Sequence, residues 1–251
     1  MHGKYVVHLL DRKITKLMTS MKKFFHILLA AVVLSSCASQ YSIDGRTSSS
    51  DLEGRMVFLK TVSVDGMNSI DSCEIIHGNF SMSGRCDTVC MAEIFLDTTP
   101  IMPLVLEAVP LEVCINDTVY KVSGTETNEK LYEFLHKKAA LEQQFSELPR
   151  KESRMIMDGK GEEEINMTLN NEMMKITSDY DKLVMEYITQ NFDNILSVGV
   201  FMIHTQNGQA PMVTPQIEDI MSKASDKFKN DSYVKAFMQT AEQNHRNIYG
   251  K

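Results

Sequence analysis

The sequence has no tryptophan, and only five of its 251 residues are cysteine. That is too few cysteines for a disulfide-dense scaffold. It also lacks positive charge: the formal net charge is −7, which argues against nucleic acid as a partner. Only one apolar run is long enough to matter for membranes, so a polytopic membrane protein is excluded. No H-E-x-x-H and no His pair at i, i+4 occurs. No serine sits in G-x-S-x-G, and no Gly-rich loop joins a strand to a helix. These absences remove the usual signatures of a metal-dependent, hydrolytic or nucleotide-binding enzyme. What remains is chain enough for one large domain or two small ones.

The most specific signal lies near the start. From Met21 the chain reads Lys22-Lys23, then an apolar stretch from Phe24 to Val33, then Leu34-Ser35-Ser36-Cys37. This is a basic n-region, a short h-region and a small-residue exit. The apolar run is about half of the ~20 residues that a spanning helix needs. Leu34-Ser35-Ser36-Cys37 resembles the bacterial lipobox, in which the Cys is acylated and becomes the first residue after cleavage. Cys37 is therefore the expected lipidation site. Residues 1–20 are expected to be an upstream extension, with translation starting at Met21.

Cleavage before Cys37 would remove six Lys/Arg and one Asp from the 26 basic and 33 acidic residues. That leaves 20 basic and 32 acidic, a net charge of −12. Such a chain is repelled by anionic lipid unless it is tethered. Several acyl chains on one Cys supply a stable tether. Ala38-Ser39-Gln40-Tyr41-Ser42 lacks the acidic run that resembles surface-export signals in such lipoproteins. The expected location is the outer membrane, lipid-anchored and facing the periplasm.

Beyond residues 1–36 the expected organisation is a tether and first strand over 37–50, a β-sandwich-like domain over 51–127 and a helical domain over 128–251. Val57–Val62 is β-rich and closes at Asp65-Gly66, a turn dipeptide. Ile75–Met82 reads as two short strands about a Gly78-Asn79 turn, with Phe80 and Met82 alternating with Ser81 and Ser83. Met91–Leu96, Leu104–Leu106, Leu111–Ile115 and Val119–Val122 read as further strands. Six or seven strands at such spacing suggest a small antiparallel sandwich or barrel. Its expected core is Phe58, Leu59, Ile75, Phe80, Ile94, Leu106, Val113 and Ile115.

At Asn128 the period changes from 2 to 3.6. Asn128 can cap a helix bearing Leu131, Leu135, Leu141, Phe145 and Leu148, and Pro149 would end it. A longer helix follows the Asp158-Gly159-Lys160-Gly161 loop, with Glu162-Glu163-Glu164 at the end where the helix dipole favours anions. Ile195–His204 is shorter and more apolar. Thr214-Pro215 opens another helix, and a last one spans 232–247. The expected helical core is Leu135, Leu169, Ile176, Leu183, Ile195, Phe201 and Phe237. Strands followed by helices, without alternation, define an α+β fold rather than a βαβ one.

Several motifs in the β half occur in a telling order. They are Ile70-Asp71-Ser72, Gly78-Asn79-Phe80-Ser81-Met82-Ser83-Gly84, Leu106-Glu107, and Val122-Ser123-Gly124-Thr125-Glu126-Thr127-Asn128. This order resembles the domain of unknown function 4369, the lipoprotein module that precedes thioredoxin-like domains in many Bacteroidota proteins. Its pattern is a D-S hairpin into G-x-F-x-F-x-G, an L-E strand and a closing V-S-G-S-x-x-N. Here Met82 replaces the usual aromatic and Thr125 stands where Ser is common. The resemblance covers about residues 41–130. It implies a helical connector and then a thioredoxin-like domain, and this chain ends about where that domain would begin.

A thioredoxin-type site needs two Cys close together at a helix start. No C-x-x-C exists here, so the family's redox chemistry is not carried over. Cys86-Asp87-Thr88-Val89-Cys90 is the nearest pair. Extended, four residues span roughly 13 Å, beyond disulfide reach. Only a tight turn at Asp87-Thr88 would bring the two together, as a candidate disulfide in an oxidising compartment. The alternative is that both pack as small hydrophobes.

Cys73, His77, Cys86 and Cys90 have ligand types that suit zinc. A Gly78-Asn79 turn, however, puts Cys73 near Gly84, away from Cys86. Met155, Met157, Met173 and Met174 suit copper(I) in type, but more simply serve adaptable packing. His136, His204 and His245 fall far apart in the sequence, and His204 reads as a packed residue at the end of an apolar helix. No catalytic residue, metal site or cofactor is expected. The expected function is non-catalytic binding or assembly, with the membrane and a periplasmic protein as partners. The rival reading is an accessory subunit for a thioredoxin-like oxidoreductase acting in trans.

Overall fold

The alternating stretches become strands. The computed structural model describes residues 39–63, 66–116, 120–206 and 210–250, and those from Tyr41 onward belong to one compact unit. Among the described residues eight strands come first: β1 (Gln40–Thr47), β2 (Met56–Ser63), β3 (Gly66–Glu74), β4 (Asn79–Arg85), β5 (Cys90–Leu96), β6 (Thr99–Leu106), β7 (Pro110–Ile115) and β8 (Tyr120–Ser123). They form sheet A, ordered β4-β1-β7-β8, and sheet B, ordered β3-β2-β5-β6. β1 and β7 pair in parallel, whereas β2–β3, β2–β5, β5–β6 and β7–β8 are antiparallel. The sandwich core lies between the inner faces, from Tyr41 and Ile43 through Leu59, Ile94 and Leu104 to Val113 and Val122. The α+β class read from the sequence is the one observed.

The strand pleat corrects one expected core residue. Val57 and Leu59 point inward, so Phe58 between them faces out and is only half-buried. There it lies directly opposite Phe95, with the Lys60 ammonium 3.9 Å from the Phe95 ring centre, a cation–π contact. The β3–β4 turn is also displaced by one residue. His77 (φ 52°) and Gly78 (φ 71°) are its centre, and Asn79 already belongs to β4. Ile76 and Asn79 exchange both backbone hydrogen bonds across it. The Glu53 carboxylate accepts from the His77 and Gly78 N–H groups, at 2.8 and 3.1 Å. β6 runs through Pro100 and Pro103, which a sheet edge tolerates because one side of the strand needs no ladder donor.

Sheet A is built on two glycine–aromatic pairs. The Phe80 ring covers Gly45 so closely that a Cβ there would lie 2.0 Å from a ring carbon. Tyr41 covers Gly84 in the same manner, with the nearest ring atom 2.9 Å from such a Cβ. Two glycines of this strand pair thus leave room for aromatic rings in the core.

The helices are α1 (Glu126–Ser146), α2 (Leu148–Met157), α3 (Glu162–Gln190), α4 (Ile195–Thr205), α5 (Pro215–Lys223), α6 (Asp226–Lys229) and α7 (Ser232–Tyr249). The cap of α1 is Thr125, whose hydroxyl accepts from the Asn128 N–H at 3.2 Å, so the expected Asn128 cap is corrected. Pro149 sits in the first turn of α2 and starts a helix instead of ending one. All residues of α4 from Leu196 to Met202 are buried. Phe201 at its centre meets Phe228, Tyr233 and Phe237 edge-on. Gly199 lets α4 approach the outer face of sheet B at Met91, whose sulfur would lie 2.6 Å from a Cβ. Ile176, Leu183, Phe201 and Phe237 are buried as expected, while Leu135, Leu169 and Ile195 are half-buried. Phe145 is exposed because the far half of α1 runs beyond the region where it packs on the sandwich.

Candidate functional site

Among the described residues two places combine a largely apolar concave surface with polar groups. The first lies among α1, α3 and α4. Lys138, Leu141, Glu142 and Phe145 recur at three- and four-residue spacing on α1, and Ile176, Thr177 and Tyr180 do so on α3. The end of α4 adds Ile203 and His204. Together they line a cleft of about 400 Å³. A second cleft of about 260 Å³ shares Ile203 and Gln206 and continues over the outer face of sheet B, past Leu135, Glu93 and Pro103. The two form an apolar groove with a few polar groups, the usual make-up of a binding site.

Several polar groups of the groove are partnered. Lys138 and Glu142 form an ion pair one helical turn apart. The Tyr180 hydroxyl lies 3.4 Å from His204 Nδ1, and the two rings are 5.8 Å apart between centroids. Burial, reinforced by the charges of Glu142 and Asp181, pushes the Tyr180 phenol up to about 12. Burial lowers the His204 imidazole below its ordinary 6.5, and Asp181 offsets part of that. At neutral pH this site therefore presents a neutral imidazole and a protonated phenol, which serve hydrogen bonding. The Thr177 hydroxyl of α3, beside them, donates to the Met173 carbonyl. The arrangement can recognise a ligand by hydrogen bonding and apolar contact.

His204 also makes stability depend on pH. The unfolded imidazole takes its proton near 6.5, the folded one only at lower pH. Between those values the unfolded state holds more protons, so stability falls as pH drops below 6.5. The fall ends once the folded imidazole titrates. A His204→Gln variant should lose this part of the slope. Urea midpoints of both proteins at several pH values from 7.5 downward would test it, and identical slopes would refute it.

The second place is the end of the sandwich where the chain crosses between sheets. A crevice of about 520 Å³ is lined by Thr88, Glu107, Thr127, Asn194, Lys227 and Asp231, among others. Glu107 Oε1 accepts from the Thr127 hydroxyl at 3.4 Å, and its buried Oε2 finds no hydrogen-bond partner among the described residues. Beside it, Asn128 is fully buried. Its Oδ1 accepts from the Val105 N–H at 2.9 Å, and its Nδ2 donates to the Val105 carbonyl at 2.8 Å and the Thr125 hydroxyl at 3.0 Å. Asn128 thus acts as one more strand residue on the free edge of β6. Tyr132, a turn later, donates to the Pro103 carbonyl at 3.0 Å. The motif residues Leu106-Glu107 and Thr125–Asn128 are a mechanical joint between sheet B and α1. Their pattern makes these residues stand out in the sequence, but no sequence signal tells what they touch.

The sequence-derived candidates fall as follows. Cys37 and the expected signal segment lie outside the described residues. Cys86 follows β4 with a buried thiol and Cys90 begins β5, and both are free thiols. Cys73 lies on β3 and Cys114 on β7, both half-buried. Among the described residues no group of three or more His, Cys, Asp or Glu side chains is arranged to hold a metal ion. His77 occupies the turn itself, apart from the Cys residues of the zinc-type string. Among the described residues no helix is long and apolar enough to cross a membrane.

Comparison with known proteins adds one finding. Residues 41–131 match the family model described as a domain of unknown function (DUF4369), the family whose motifs the sequence resembles. The match takes in the whole sandwich and the first turns of α1, up to Leu131, and so includes the Asn128 joint. No curated protein matches the chain.

Proposed function

We propose that this sandwich, with its helical half, is a lipid-anchored binding module that faces the periplasm from the outer membrane and performs no chemistry of its own. The Lys22–Cys37 signal supports the anchor. The groove among α1, α3 and α4 is the observation that carries the binding role. Its floor is apolar, its polar groups include a neutral Tyr180–His204 pair, Phe145 is exposed along it, and Met173 is exposed one turn before Thr177 on α3. An amphipathic helix of a periplasmic protein fits such a groove by its apolar face, and methionine side chains adapt to it.

The anchor and the groove are tested together in cells. A Cys37→Ala variant is expected to fractionate as soluble and to lose incorporated palmitate. Unchanged membrane retention, with no label on the wild type, would overturn the anchor. A Phe145→Glu variant places charge on an exposed rim residue and leaves the core intact. Crosslinking from membranes should capture a periplasmic partner with the wild type and several-fold less with this variant; equal capture would overturn the groove. Recovery of a thioredoxin-like lipoprotein would define the module as an accessory to that enzyme.

A further inference from the structure

The crossover from sheet A to sheet B holds two thiols at one end of the sandwich core. In extended form the segment Cys86–Cys90 would keep them apart, and closure demands a turn at Asp87-Thr88. The chain does bend at those two residues. Arg85 and Asp87, on either side of Cys86, form an ion pair of 3.3 Å. The Cys86 thiol reaches to the Thr88 carbonyl at 3.4 Å and across to the Leu106 carbonyl at 3.6 Å. Leu106 is the residue directly opposite Cys90 in the β5–β6 ladder. Cys90 falls in the inward-pointing set of β5 with Ala92, Ile94 and Leu96, and packs against the same core that contains Cys86. Both residues thus adjoin Leu106, Cys86 through its thiol and Cys90 through the ladder, and in this arrangement both thiols are free.

We infer that Cys86 and Cys90 are a disulfide-forming pair, and that their bond staples the β4–β5 crossover. Cys73 on β3 and Cys114 on β7 stay reduced. The bond forms by thiol–disulfide exchange with a disulfide oxidant, such as oxidised glutathione. The thiolate of Cys90, the more exposed of the two, displaces one glutathione and forms a mixed disulfide. The Cys86 thiolate then displaces the second. The two thiol protons and two electrons end on two glutathione thiols, so the exchange balances. Burial raises both thiols, and Cys86 adds to the cost of ionising Cys90, so exchange is slow and the pair is structural rather than catalytic. Closing a five-residue loop should raise Tm by roughly 4–8 °C.

The test uses the purified full chain equilibrated with oxidised glutathione at pH 8, then unfolded, alkylated and mapped by mass spectrometry. The expected map shows Cys86 and Cys90 protected and joined, with the mass lower by two hydrogens, and Cys73 and Cys114 alkylated. Melting the oxidised and reduced forms should show the Tm difference, and Cys86→Ser or Cys90→Ser should abolish it. Alkylation of both Cys86 and Cys90, a persistent glutathione adduct on either, or a bond to Cys73 or Cys114 would overturn the assignment. Equal Tm with and without the bond would overturn the staple. Because the connectivity is read on the wild-type chain, an unfolded Ser variant leaves the test intact.

Discussion

Asn128→Ala is expected to destabilise the protein by about 3–5 kcal/mol, a large effect for a single polar substitution. The side chain is fully buried and satisfies both backbone groups of Val105 on the edge strand β6. Truncation leaves a buried N–H and a buried carbonyl unpaired, at about 1–3 kcal/mol each. It also loses the bond to Thr125. Asn128→Asp keeps the acceptor for the Val105 N–H but faces the Val105 carbonyl with a carboxylate, so it should be nearly as damaging. Thr125→Ala removes the cap and one of the two acceptors of Asn128 Nδ2, leaves the Val105 bonds in place, and should cost about 1–2 kcal/mol. Guanidinium denaturation would rank the three, and hydrogen exchange at the Val105 amide should accelerate in Asn128→Ala. An unchanged Val105 amide would show that the joint is not what Asn128 contributes.

Gly45→Ala is expected to cost about 3 kcal/mol, far more than a methyl group on a strand normally does. Three Phe80 ring atoms lie 2.0–2.3 Å from the site of the new Cβ, so the ring must leave the core. Removing the ring instead, by Phe80→Ala, should cost about 3–5 kcal/mol through lost burial and the cavity left behind. The decisive measurement is the double variant. With no ring to clash, Gly45→Ala in the Phe80→Ala background should cost almost nothing, so the two single effects are strongly non-additive. Additive costs would show that Gly45 is needed for some other reason.

Most of the outline is legible in the order of the residues. The period-2 stretches around Val57, Met91 and Leu111 form strands because a half-buried strand alternates its side chains whatever it pairs with. The switch to a helical period falls at the Gly124–Glu126 boundary, and Thr214-Pro215 opens a helix as capping chemistry requires. The departures are local and have local causes. Alternation leaves open which of Val57 and Phe58 faces the core, because both are large and apolar. The capping preference of Asn hides the use of Asn128 elsewhere, and Thr125 supplies the cap instead. Pro149 is equally suited to ending one helix or starting the next.

The groove is less legible than the sandwich. Ile176 and Tyr180 read as a core stripe, and they are partly that. The same kind of spacing leaves Phe145 on α1 in the open, because nothing in the sequence says how far a helix extends past its support.

The sequence by itself determined the α+β class, the strand-to-helix order and the family pattern, because each rests on periodicity or on short contiguous motifs. Only the tertiary structure decided that β1 lies parallel to β7, that Phe80 needs Gly45, that Asn128 serves the edge of β6, and that Tyr180 meets His204. Each of those contacts joins residues at least 23 positions apart. Whether two such residues meet depends on how sheets and helices pack, which no local pattern encodes.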